Sequence, residues 1–376
     1  MFASFSQGLC AARNFCLLLV LLKCGSAADV AQAQKPSAWT RQTSGTLAWF
    51  HSVYFLDAER GWAVGGNGRV SATTDGGRTW RAMRPPADDT LHDVFFTDAN
   101  TGWLVCERSI YKIKSVEEPR GYLLKTTNGG ETWTRVEATK PNVNIRLVRV
   151  VFADHERGWT FGEAGTLYAT TDGGTSWTKQ LTPTRHLLLG ASFIDNQQGW
   201  IVGGGGSVIW TLDGGAQWRN LAASADSRSR TTANATNTAR AAVSPTQAPA
   251  QSRLNAVSFV DNKRGWAVGV GGVIVATIDG GRTWKNQNSN ADVDLLDVKF
   301  INATEGWAVG AEGMIIHTID GGRAWQMEPS GVTHTLERLC LVPTRNLWAV
   351  GFGGTILRYE ESNLNPPKLK AGAAGN

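Results

Sequence analysis

Apolar and polar positions recur along this chain in a fixed order. Runs of the form Leu-x-x-Val-x-Phe, as in Leu91 to Phe96 and Leu295 to Phe300, predict short strands with one buried end. A polar turn such as Asp98 to Gly102 follows, then a second strand, Gly-Trp-Ala-Val-Gly in its clearest copies. A Gly-rich turn leads to a third strand, and a box of the form Thr-Asp-Gly-Gly-x-Thr-Trp turns the chain into a fourth. In that box the Asp carboxylate is suited to accept N–H groups of its own turn, and the two Gly supply positive φ. The Trp packs on the sheet.

The period is the strongest signal. Gly-Trp occurs at Trp62, Trp103, Trp159, Trp200, Trp266 and Trp307, and a seventh copy has Leu347-Trp348. Successive Trp residues are 41, 56, 41, 66, 41 and 41 apart, so four intervals agree and two carry insertions of 15 and 25 residues. The boxes start their turns at Asp75, Asn128, Asp172, Asp213, Asp279 and Asp320, one fewer than the Gly-Trp copies. Their recurrence at one turn position assigns these six residues to architecture. Trp39 stands 23 residues before Trp62, the distance from Trp80 to Trp103, so its strand reads as the outer strand of a unit whose other strands lie at the far end of the chain. The expected fold is all-β: a seven-bladed β-propeller of four-stranded blades over residues 34–360, closed by the N-terminal strand pairing with the C-terminal blade near Thr355 to Leu357. Six blades and a tail are the rival arrangement.

The segments outside the repeat have other compositions. Residues 1–33 read as a cleaved secretory signal: Arg13, an apolar run from Phe15 to Leu22, and small residues up to Ala27 or Ala33. Lys23 before Cys24 argues against lipidation. Residues 222–251, rich in Ala, Ser, Thr, Asn and Pro, read as a disordered insertion, and 361–376 as a polar tail. The insertion at 106–121 contains Arg108-Ser-Ile-Tyr-Lys-Ile-Lys, whose alternation suggests a lengthened hairpin in blade 2, with a plain longer loop as the other reading. The mature chain keeps Cys106 and Cys340, expected to be buried, inert thiols.

Composition narrows the function. The chain has 43 Gly and 16 Trp among 376 residues and a net charge of +5 without a Lys/Arg block, which disfavours nucleic acid as partner. No motif calls for a cofactor. His51 and His92 share a repeat position but lack a third ligand at metal spacing. Aligned on the innermost strands, Arg146, Arg149, Arg185, Arg253 and Arg338, with His51, His92 and Asp93, form the candidate partner-binding set. Arginine forks suit an acidic or carboxylate-bearing peptide.

The boxes, the Gly-Trp-Ala-Val-Gly strands and the 41-residue period resemble the photosystem II stability and assembly factor family from Trp39 to Tyr359. The resemblance implies an exported, non-enzymatic propeller, periplasmic or in the thylakoid lumen, that binds the D1 reaction-centre protein in phototrophs. It implies a monomer whose partner is a membrane protein or its exposed tail, with membrane association at most peripheral. The alternative is an Asp-box glycoside hydrolase, sialidase-like or β-glucanase-like. No Arg-Ile-Pro strand of a sialidase is present, and none of Tyr54, Tyr111, Tyr122, Tyr168 and Tyr359 is singled out as a nucleophile. A carboxylate pair for glycoside hydrolysis would come from Asp93, Asp297 and Glu337 on the innermost strands.

Overall fold

The computed structural model describes residues 38–115, 118–136, 144–220, 252–343 and 346–360. The signal segment, the 222–251 insertion and the 361–376 tail lie outside the described residues. The described strands form seven antiparallel sheets of four strands each. Blade 1 runs outwards from Phe50–Phe55 through Gly61–Gly65 and Val70–Thr73 to Arg81–Ala82. The innermost strands of blades 2 to 7 are Thr90–Phe96, Leu147–Phe152, Leu188–Phe193, Leu254–Phe259, Leu295–Phe300 and Leu336–Leu341. Each abuts the innermost strand of the next blade, and the seventh abuts the first.

The seventh sheet is assembled from both ends of the propeller. Leu336–Leu341, Leu347–Gly351 and Ile356–Tyr359 take Trp39–Arg41 as their fourth strand, in the register Trp39 with Tyr359, Thr40 with Arg358 and Arg41 with Leu357. Ladder hydrogen bonds thus span the seam, and neither terminal strand is left as a bare edge. The seven blades and this closure are those expected from the repeat; the six-bladed rival is excluded.

The core lies between blades. In six of the seven joints the Trp of the Gly-Trp strand lays its face on a Phe at the end of the next blade's innermost strand. Trp62 stacks on Phe96 with centroids 3.6 Å apart, Trp200 on Phe259 at 3.7 Å and Trp348 on Phe55 at 3.5 Å. That Phe meets the edge of its own blade's box Trp, as Phe259 meets Trp284 at 90° and 5.9 Å. Every such Phe is therefore held between an aromatic face and an aromatic edge, arrangements worth about 0.5–1.5 kcal/mol per pair beyond the buried area.

The same Phe explains the Gly of Gly-Trp. Phe55 pairs with Gly61 and Phe259 with Gly265 across the two inner strands, and the Phe ring lies over the glycine. A Cβ on Gly61 or Gly265 would stand 2.6 Å from ring carbons. In blade 7 the Phe position is Leu341, and its partner is Leu347 instead of Gly. The side chain missing from one strand is supplied by the other.

The box turns carry one hydrogen-bond pattern. Asp75 Oδ1 accepts from Thr73 Oγ1 at 2.8 Å and Thr79 N at 2.9 Å, while Oδ2 accepts from Thr79 Oγ1 at 2.6 Å. The Thr79 hydroxyl and amide hold the Asp75 carboxyl down at about 2, and Ser176 does the same for Asp172. Asn128 fills the role with an amide: Thr132 N donates to its Oδ1 at 3.0 Å, and its Nδ2 donates to Thr132 Oγ1 at 2.9 Å. A position that works equally with an amide has no need of a titrating acid.

The insertion in blade 2 departs from the long hairpin suggested by its alternation. Pairing between Gly102–Glu107 and Gly121–Thr126 ends at Glu107 with Gly121, and the basic stretch turns through the short 3-10 segment Ile110–Lys112. Its charges find acidic partners in place of a strand: Lys112 Nζ reaches Asp88 Oδ2 at 2.8 Å, and Arg108 Nη1 reaches Glu118 Oε2 at 3.0 Å.

Candidate functional site

Each innermost strand carries an irregularity in its pairing just after its first buried residue, for example between Phe50 and Ser52 and between Leu147 and Arg149. A bulge of this kind leaves an extra residue unpaired and re-aims side chains. Here it brings two consecutive residues, such as Val148 with Arg149 and Glu337 with Arg338, to the wall of one cavity on the axis of the ring. That cavity, about 220 Å3, is lined by Arg146, Arg149, Arg253 and Arg338 together with His51, His92 and Glu337. A second cavity of about 350 Å3 continues along the axis; Arg149 and Arg338 line both, with Asp93, Asp297, Tyr54 and Lys299 in the second.

Four of the five expected arginines thus converge. Arg185 does not: it lies in the loop before Leu188–Phe193, is exposed, and lines neither cavity. The strand register is fixed by Phe193 opposite Gly199, which buries Leu188 and leaves Arg185 outside the inner strand. Of the four, Arg149 is anchored: its Nε donates to Leu189 O at 2.8 Å and its Nη1 lies 3.9 Å from Asp93 Oδ1. Arg146 Nε is 3.4 Å from Glu163 Oε1, while Arg253 donates through Nε to Asn255 Oδ1 at 3.0 Å and has its Nη2 3.8 Å from the half-exposed Asp294. Buried Arg338 Nε has no hydrogen-bond partner. An anion entering the mouth would meet guanidinium groups whose donors are only partly used.

Along the rim a chain of charges links blades 1 to 3. His51 faces His92 with ring centroids 5.7 Å apart, His92 Nε2 bonds Glu107 Oε2, and Glu107 holds Arg120 at 2.6 Å. Arg120 in turn reaches Glu163 at 3.3 Å, which also accepts from Arg146 N at 3.1 Å. Burial opposes the charge on Glu107, but His92 and Arg120 outweigh it and hold the carboxyl at about 2. Burial, and then His92, push His51 down to about 4, so it is neutral at physiological pH. Among the described residues no group of three His, Cys, Asp or Glu is arranged to hold a metal ion.

The carboxylates that could have served a hydrolase are engaged in the joints. The innermost strand of each blade is a sheet edge whose outward N–H groups need acceptors. Asp93 supplies one: its Oδ2 accepts from Val150 N of blade 3 at 3.1 Å, and its Oδ1 accepts from Ser52 Oγ of blade 1 at 2.7 Å. Asp297 accepts from Leu339 N of blade 7 and from Val298 N, both at 2.9 Å. Ser258 and Ser192 do the same for Phe300 N and Phe259 N. Burial raises Asp93 above the usual carboxylate range, against the pull of Arg149 and its donors. Glu337, also raised by burial, accepts from Trp49 Nε1 at 3.0 Å. Tyr111 is exposed on the blade 2 insertion, while Tyr122 donates to Asp89 Oδ2 at 2.7 Å and Tyr359 packs on Trp39 and Trp307. Cys106 and Cys340 are free and buried; burial raises both thiols, Cys340 to about 11, and the Cys340 sulfur accepts from Phe55 N across the last joint.

Sequence reasoning had not singled out Trp49, Glu107, Arg120, Glu163 or Phe352 at this mouth. Trp49 did leave a signal, since it and Trp210 are the tryptophans that fall outside every repeat position.

The comparisons agree with this architecture. Among solved structures, one described as YCF48 bound to D1 peptide superposes with a TM-score of 0.65 at 20% identity, over 86% of this chain and 97% of that one. YCF48 from Cyanidioschyzon merolae gives 0.64 at 18%, over 86% and 99%. The GH74 xyloglucanase from Xanthomonas campestris gives 0.63 at 12%, over 87% of this chain but 54% of its own. At these identities the likeness concerns the fold alone. No curated protein sequence matches. The sequence matches the family described as Photosynthesis system II assembly factor YCF48 over residues 80–183, 234–331 and 286–360, more than half of the chain. On that match, the chain belongs to the photosynthesis system II assembly factor YCF48 family.

Proposed function

We propose that this chain is an exported, non-enzymatic assembly factor that acts as a monomer and holds a carboxylate-bearing segment of a partner membrane protein in the arginine-lined mouth of its ring. A D1-type reaction-centre subunit is the partner in a photosynthetic host, by analogy with the family member solved with a D1 peptide. The observation that carries the reading is the convergence of Arg146, Arg149, Arg253 and Arg338 on one cavity, with Arg338 Nε unpartnered. Guanidinium groups bind carboxylates through paired N–H donors, and a recess shielded from bulk water strengthens each contact. The boxes do not compete for this role: each Asp carboxylate is used as an acceptor within its own turn. Catalysis by a carboxylate pair is disfavoured by the use of Asp93 and Asp297 as acceptors for neighbouring strands.

The test is calorimetric titration of the protein with a synthetic C-terminal D1 peptide carrying either a free carboxylate or a terminal amide. Tighter binding of the carboxylate form is expected, with a loss of about tenfold in each of Arg146→Ala and Arg253→Ala. Equal binding of the two peptides, or unchanged binding in both variants, would remove the arginine mouth from the account.

A further inference from the structure

The rim of the same mouth carries an aromatic patch confined to one joint. Trp49 of blade 1 and Phe352 of blade 7 are 42% and 45% exposed, and their rings meet edge to face at 5.3 Å. His51 lies against Trp49 at 5.1 Å, and His334 against Phe352 at 5.5 Å. Leu47 is 85% exposed nearby in sequence. The fold does not require these rings. The residues before the other innermost strands include Arg146, Leu187, Arg253 and Asp294, and those after the other second strands include Gly66, Glu163, Gly204 and Ala311; none is aromatic. A structural need of the blade would have shown itself at more than one joint.

The patch is continuous with the arginine cavity. Trp49 Nε1 donates to Glu337, which lines that cavity together with His51. Because the indole N–H is already used, the ring presents only its apolar, π-bearing faces to a ligand. The adjoining arginines make the mouth electropositive, which disfavours a cationic side chain despite the affinity of aromatic faces for cations. Resting on the function proposed above, the geometry points to Trp49 and Phe352 as a specificity pocket for an aromatic or large aliphatic side chain of the partner segment, a few residues before its terminal carboxylate. The ligand class becomes an extended chain end with two anchors: a carboxylate on the arginines and an apolar side chain on the seam.

The experiment uses peptides of about ten residues with a free terminal carboxylate, in which one upstream position at a time is Phe, Leu, Gly or Lys; at ~3.3 Å per residue the scan covers the width of the mouth. Fluorescence anisotropy is expected to show one position where Phe binds about tenfold tighter than Gly, with Leu between and Lys no better than Gly. In Trp49→Ala and in Phe352→Ala, each checked for an unchanged thermal midpoint, that advantage falls below about twofold, whereas Arg253→Ala weakens all peptides alike. Because Phe352 is half exposed, its variant remains informative if Trp49→Ala destabilises the seam. Equal affinity for Phe and Gly at every position, or preference for Lys, overturns the pocket while leaving the carboxylate reading intact. Affinity indifferent to terminal amidation overturns both.

Discussion

The joint between blades 6 and 7 is built differently from the other six. At an ordinary joint, such as blades 5 to 6, Trp266 stacks on Phe300 at 3.6 Å and 7°, and its indole N–H donates to Gly321 O in the next blade's box at 3.0 Å. At the 6–7 joint, blade 7 has no box and carries Leu341 where the other blades have the Phe. Trp307 stacks instead on His317 of its own blade at 4.4 Å, takes the edge of Tyr359 at 5.3 Å, and its indole N–H is buried without an acceptor. A polar clasp compensates: Glu328 accepts from Trp39 Nε1 at 2.8 Å and pairs with His317 Nδ1 at 2.9 Å, tying the N-terminal strand to blade 6. The comparison separates what every joint has, a buried indole face, from what the other six have and this one lacks, a Phe over a Gly; a box carbonyl takes the indole N–H at four of those six, at Trp62, Trp200, Trp266 and Trp348.

The largest effect that would sharpen this contrast comes from removing the indoles. Trp266→Ala is expected to cost about 4 kcal/mol in urea unfolding. Trp307→Ala should cost about 1 kcal/mol less, because it breaks no hydrogen bond. Equal losses would mean that the hydrogen bond to the box adds nothing. Next, Gly265→Leu should destabilise by about 3 kcal/mol through overlap with Phe259. Adding Phe259→Leu should recover most of that loss by rebuilding the Leu341–Leu347 pair in blade 5; simple additivity of the two changes would break the argument that they form one unit. Smallest, Glu328→Ala should cost about 1.5 kcal/mol and speed exchange of the Thr40 and Arg41 amides, with no change in exchange at blade 3. Uniformly faster exchange would show that the clasp is not specific to the seam.

Much of this was legible in the sequence because a repeat reports its own geometry. The 41-residue spacing and the offset of Trp39 fixed the number of blades and the mode of closure, and the Asn at box position 128 already hinted that no acid was required there. The site was less legible because it is made where copies differ. Asp93 and Asp297 looked like candidate acids, yet what they satisfy is backbone of the next blade, a partner that no side-chain pattern reveals. Arg185 was misplaced because the run Leu187-Leu188-Leu189 permits more than one register, and only the Phe193–Gly199 pair decides it. Trp49 could have been found by subtraction, whereas Phe352 looks unremarkable until the fold sets it beside Trp49.

The central claim is that the partner's chain end seats in the arginine-lined mouth and not on the box-bearing perimeter. Photo-crosslinking with a D1 C-terminal peptide carrying benzophenone next to its terminal residue, followed by mass spectrometry, addresses it most directly. The account predicts adducts on the innermost-strand segments around Arg146 to Arg149, Arg253 to Asn255 and Glu337 to Arg338, suppressed by excess free-carboxylate peptide. Adducts concentrated on the turns at Asp75, Asp172 or Asp279 would contradict it.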